Sequence, residues 1–163
     1  MVLGMSLATF TLVHVLISLV GIAAGLIVIE RLLRNRALGL SNTIFLVTTI
    51  ATSVTGFLFP FKAFTPAHAV GIISLVILAV SLFALYAQHL AGPWRWVYVV
   101  TAIVAQWFNV FVLIVQSFQK IPSLKTLAPT QSEPPFQIAQ GAALVLLVVL
   151  AILAVRKFRP VAA

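Results

Sequence analysis

The residues predict an all-α integral membrane protein: one domain over residues 1–163, built as a bundle of five transmembrane helices. Three observations carry that reading. Hydrophobic residues make up 63% of the chain and charged residues only 7%, giving a mean hydropathy of +1.21. Soluble domains are about 45–50% apolar and about 25% charged, and a water-soluble chain of this length cannot bury such an excess. The apolar residues also come in five runs long enough for a hydrocarbon core of roughly 30 Å, which takes about 20 helical residues. Finally, the runs lack the alternation of barrel strands, and an isolated strand cannot satisfy its backbone in lipid. A cytosolic globular enzyme and a disordered tail are excluded, as is a disulfide scaffold, because the chain has no cysteine.

The first span is expected over residues 7–29, ending at Glu30-Arg31. No basic region precedes it and no small-residue cleavage site follows, so it reads as a retained span rather than a removable signal peptide. The second, over 42–59, is short and bounded by Pro60. The third, over 66–90, begins with Thr65 as N-cap and Pro66 in the first turn. The fourth covers 94–118, and the fifth covers 135–155, stopping at Arg156-Lys157.

A formal net charge of +8 does not indicate nucleic-acid binding, because the basic residues sit at the ends of apolar runs and form no groove-reading patch. Their distribution instead sets an orientation. With the N-terminus outside and the C-terminus cytoplasmic, Arg31, Arg34, Arg36, Arg95, Arg156, Lys157 and Arg159 lie inside, and Lys62, Lys120 and Lys125 outside. Seven against three favours that arrangement in a cell inner membrane. Trp94, Trp96 and Tyr98 then form an aromatic anchor at the inner interface, and Phe57, Phe59, Phe61 and Phe64 crowd the outer turn.

With hydrocarbon as solvent, the informative residues are the polar ones within the spans. Thr11, His14, Ser18, Gly21 and Gly25 fall at helical spacing on one face of the first span, and Gly21-x-x-x-Gly25 permits close helix packing. Thr48, Thr52 and Thr55 repeat on the second span. A rise of about 1.5 Å per residue from each span's midpoint puts His14 and Thr55 about 6 Å outward, Ser74 about 7 Å, Asn109 about 3 Å and Gln140 about 9 Å. Five helices thus offer one polar group each to a single layer, with His68 above it: a candidate ligand pocket open to the outside. The competing reading is structural. Hydroxyls in a span back-bond to the carbonyl four residues earlier, and amides tie helices together.

Paired carboxylates, which ion-coupled carriers and acid–base hydrolases need, are missing from the spans, and no H-E-x-x-H, G-x-S-x-G, P-loop or dinucleotide fingerprint occurs. The expectation is a non-catalytic accessory or scaffold subunit that docks to another membrane protein or to a second copy. The alternatives are a redox subunit holding haem or quinone through His14, and a passive facilitator for a small solute. The polar connection over 119–134, stiffened by prolines, is expected to cap the pocket or dock a partner.

Overall fold

The computed structural model describes residues 2–60, 64 and 66–159. Among these residues six α-helices follow one another: α1 (Leu7–Leu33), α2 (Gly39–Gly56), α3 (Pro66–Leu82), α4 (Trp94–Lys120), α5 (Pro122–Leu127) and α6 (Pro134–Lys157). α3 runs on into one π-helical turn, Phe83–Ala87. No strand occurs among the described residues. Among the described residues four helical segments, α1, Ala67–Ala87, α4 and α6, are long and apolar enough to cross a membrane. α2 is not among them. Its 18 residues span about 27 Å at the usual helical rise, and eight of them are Ser, Thr or Asn.

Local chemistry explains the boundaries. The Ser6 hydroxyl caps α1 by accepting from Thr9 N–H at 3.1 Å. Proline occupies the first turn of α5 and of α6, where its missing N–H costs nothing. α1 outlasts its expected end at residue 29 by one turn because Glu30 pairs with Arg34 at 2.8 Å along the helix, with Arg36 at 3.6 Å beyond it. The third span is shorter than residues 66–90. Its end widens to a π turn, in which Gln88 N–H reaches the Phe83 carbonyl, and His89 and Leu90 then take left-handed φ of 48° and 58°. Thr65, Lys62 and Phe61, named above as cap, cation and ring, lie outside the described residues.

Successive long helices alternate in direction. At the upper end α1, α3 and α6 begin and α2 and α4 finish; the lower end is the reverse. α4 is the hub, packing on α1, α3 and α6, while α1 lies along α2, and α2 also touches α3. Its buried face, Tyr98, Val99, Ala102, Ile103, Ala105 and Gln106, meets Val28, Leu32, Phe45 and Leu78 in the core. Outward faces carry Leu16, Ile27, Val47, Val76, Val145 and Val149, which water would not tolerate in such number.

Seven basic residues from Arg31 to Arg159 gather at the lower end, and Lys120 and Lys125 stand at the upper one. The lower end is closed by hydrogen bonds. Arg95 donates to the Val155 carbonyl at 2.8 Å and to that of Phe158, and Arg159 N–H reaches Asn35 Oδ1 at 2.6 Å. Phe158 is thereby buried beneath the bundle.

Candidate functional site

The stripe expected on α1 faces α2 along its length. His14 Nδ1 meets Thr55 Oγ1 at 2.8 Å, and Ser18 Oγ meets Thr52 Oγ1 at 3.3 Å. Farther down, a Cβ on Gly21 would stand 2.9 Å from Thr48 Oγ1, and one on Gly25 would stand 3.0 Å from Phe45. The contacts step together down two antiparallel helices, so the spacing of small and polar residues sets the register. Thr11 belongs to the same stripe and returns its proton to the Leu7 carbonyl at 2.8 Å.

The hydroxyls of this seam work in two directions. Thr55 donates to the Ala51 carbonyl at 2.7 Å, which uses its only proton. Toward His14 its oxygen therefore accepts, so the imidazole carries its proton on Nδ1 and presents a lone pair on Nε2. No hydrogen bond to Nε2 occurs among the described residues, and the atom is not sealed from the surface. The Phe59 ring stands edge-on to the imidazole at 5.1 Å, with the Phe10 ring tilted against Phe59 at 4.8 Å.

The remaining candidates divide into separate contacts. Asn109 donates to Thr49 Oγ1 at 3.1 Å, tying α4 to α2. Gln140 donates to the Phe111 carbonyl at 3.2 Å, tying α6 to α4. Ser74 is buried on α3 and makes no hydrogen bond to His14, Thr55, Asn109 or Gln140. His68 lies beside the rings of Phe57 and Phe64, 5.9 and 5.7 Å away. Of the expected layer, only His14 and Thr55 are therefore brought together; Asn109 and Gln140 bond elsewhere, and the single pocket expected from depth is not formed by these hydrogen bonds. In hydrocarbon an unmet polar group takes the nearest partner, and on four of these helices the nearest partner is a neighbouring backbone or hydroxyl.

Two polar contacts escape a reading by depth alone. Tyr98, expected in the interfacial aromatic anchor, is instead fully buried and donates to Asn42 Oδ1, while Trp96 does face outward. Asn42 is also buried and opens the polar stretch of α2. The signal that could have found the pair is an Asn and a Tyr at the same end of two spans, each needing a partner. Gln106 is 0% exposed, donates to the Ile22 carbonyl at 3.0 Å, and aims its own carbonyl at Gly25. That oxygen has no N–H or O–H partner, and its approach to the glycine is that of a weak Cα–H···O contact.

The connection between α4 and α6 is an ordered structure. Gln131, at φ 62°, donates to the Val115 carbonyl at 2.9 Å, and Ala128 is buried. The Glu133 carboxylate accepts from Thr130 N–H at 3.1 Å, from the Thr130 hydroxyl at 2.8 Å and from Ser132 N–H at 3.1 Å. Slight desolvation raises the pKa of Glu133, but these hydrogen bonds outweigh it and hold the carboxyl below the usual glutamate range. A depressed folded pKa means the turn is supported above the unfolded value, near 4.3, and loses that support as pH falls through the folded one. Acidification below about pH 4 should therefore lower amide protection at Thr130 and Ser132. In Glu133→Gln, protection should be lower at neutral pH and flat across the same range.

Fold and site together define a helical bundle with the character of a membrane protein, cross-tied by polar side chains. Comparison with known proteins gives no matching family model, and neither a curated protein nor a solved structure matches the chain. Among the described residues no group of three or more His, Cys, Asp or Glu is placed to hold a metal ion.

Proposed function

We propose that the chain is a five-span inner-membrane protein of a prokaryote, N-terminus outside and C-terminus cytoplasmic, serving as a non-catalytic accessory or scaffold subunit. Five crossings and that orientation fit the alternation of the helices and the basic lower end, which would face the cytoplasm. α2 crosses despite its hydroxyls because Thr48, Ser53 and Thr55 return their protons to carbonyls of their own helix. The observation that carries the functional reading is the use of the intramembrane polar groups. His14, Ser18, Asn109, Gln106, Gln140, Ser81 and Tyr98 all bond to the adjacent helix, so they hold shape. The broad apolar faces of α1 and α6 are left for lipid and for a membrane partner or second copy.

The chain has no cysteine, so single-cysteine variants report on those faces directly. Val145→Cys and Val149→Cys on α6 should cross-link in native membranes to one protein product of fixed mass, unchanged by adding His14→Ala. Labelling by lipid probes alone at both positions would refute a scaffold that docks through α6.

One observation favours the second reading, a redox subunit holding haem or quinone through His14: its Nε2 has no hydrogen-bond partner among the described residues. That reading requires a Soret band, or a bound quinone, in the purified protein that disappears in His14→Ala. Purified protein with neither is expected here.

A further inference from the structure

A cavity of about 210 Å³ opens at the upper end of the bundle, lined by Phe118, Gln119, Lys125, Pro129, Thr130 and Gln131. It lies between the last turn of α4, the short α5 and the turn that follows. Its walls are tied in place. Gln131 Nε2 is held by the Val115 carbonyl, Gln119 Nε2 donates to Gln131 Oε1 at 3.4 Å, and Ala128 is anchored in the interior. Pro122 and Pro129 further restrict the backbone. A cavity held in this way is preorganised, so a ligand does not have to order it.

The hydrogen-bonding inventory defines what would fit. Lys125 is the one formally charged residue in the lining, and its ammonium group makes no ion pair or hydrogen bond among the described residues. Glu133, whose carboxylate accepts from Thr130 and Ser132, makes no ion pair with Lys125. The Thr130 hydroxyl proton goes to Glu133, which leaves the oxygen free to accept. Gln119 donates to Gln131, which leaves Gln119 Oε1 free to accept. The cavity therefore offers one ammonium group and two neutral acceptors. Its volume falls below the roughly 300–1,000 Å³ of drug-sized sites and suits a headgroup-sized molecule.

We propose that this cavity binds a small hydroxylated oxyanion of the glycerol-phosphate type, its phosphate on Lys125 and its hydroxyl protons on Gln119 Oε1 and Thr130 Oγ1. The site stands at the junction of α4 and α6 with the aqueous boundary, beside the exposed apolar side chains Ile121 and Leu127. The same chemistry can reach it as the headgroup of an anionic glycerophospholipid or as free glycerol phosphate.

The test uses the purified full-length chain. Native mass spectrometry compares retained phosphatidylglycerol with phosphatidylcholine, and calorimetry follows free glycerol phosphate and inorganic phosphate. Wild type should prefer one glycerol-phosphate form over its control. Lys125→Gln should weaken that binding about tenfold, the loss of one charge-assisted contact. Gln119→Ala should weaken glycerol phosphate or phosphatidylglycerol but leave inorganic phosphate unchanged. Lys120→Gln, outside the lining, should change binding less than about twofold. Retention of the lipid alone assigns the ligand to the membrane, and heat from the free compound assigns it to solution. Equal losses in Lys125→Gln and Lys120→Gln would mean general surface attraction and overturn the site. So would the absence of any preference in both assays with helical content intact.

Discussion

Gly25→Ala is expected to destabilise the bundle by about 1–3 kcal/mol, the usual cost of forcing extra volume into a packed interior. The added methyl would fall on the Gln106 carboxamide, with Cδ at 2.6 Å and the Phe45 ring at 3.0 Å. Neither neighbour can swing aside: Gln106 is enclosed and bonded to the Ile22 carbonyl, and Phe45 lies in the core. Relief requires α1 and α4 to separate, which would loosen the Gln106 contact with the Ile22 carbonyl. Unfolding of the purified protein by SDS in mixed micelles measures the loss. Two companions make the result specific. Gly141→Ala, where a Cβ meets nothing within 4 Å in the interior of α6, should be neutral or stabilising by up to about 1 kcal/mol. Gln106→Ala should recover part of the loss when combined with Gly25→Ala, giving a coupling of about 0.5–3 kcal/mol. An additive double mutant, or a Gly25→Ala protein as stable as wild type, would remove Gln106 as the cause.

Tyr98→Phe should cost about 1–3 kcal/mol, more than the deletion of one oxygen suggests. The phenol and the Asn42 carboxamide are both buried, and each is the other's side-chain partner. Removing the hydroxyl leaves Asn42 with an acceptor facing hydrocarbon and core, while the ring still fills its space. The cost is therefore desolvation of an unpaired amide rather than a cavity. Replacing both partners, as Tyr98→Phe with Asn42→Leu, should be less damaging than the sum of the single changes, because no polar group is then stranded. If Tyr98→Phe proves neutral by the same SDS titration, the pair contributes little to stability.

The helices were legible in the sequence because hydrophobic runs and prolines report directly on what lipid tolerates. Observed starts at Leu7, Pro66, Trp94 and Pro134 fall at or within one residue of the expected ones. α2 is displaced by three residues toward the N-terminus, since its Ser and Asn pack inside and do not mark an edge. α5 was missed because six residues following a proline carry too little periodicity to distinguish a turn of helix from loop. The π turn after α3 depends on how its last carbonyls are satisfied, which composition does not encode. Within the candidate site, the α1 stripe was visible as spacing alone, and its match to Thr48, Thr52 and Thr55 follows from two periodic patterns meeting. The pairings of Asn109 with Thr49 and of Tyr98 with Asn42 were not visible. They depend on how far one helix slides and turns against another, and single-span depth estimates carry no information about rotation.

The antiparallel seam between the first two long helices also bears on how the nascent chain matures. Every contact in it, from His14 to Gly25 on one side and from Phe45 to Thr55 on the other, precedes α3 and all later helices in the chain. The hairpin can therefore close while the ribosome is still translating the remainder. Tyr98, Gln106 and Asn109 emerge later and each latches onto a surface that already exists. The first hairpin is thus available as a surface on which the later helices can dock.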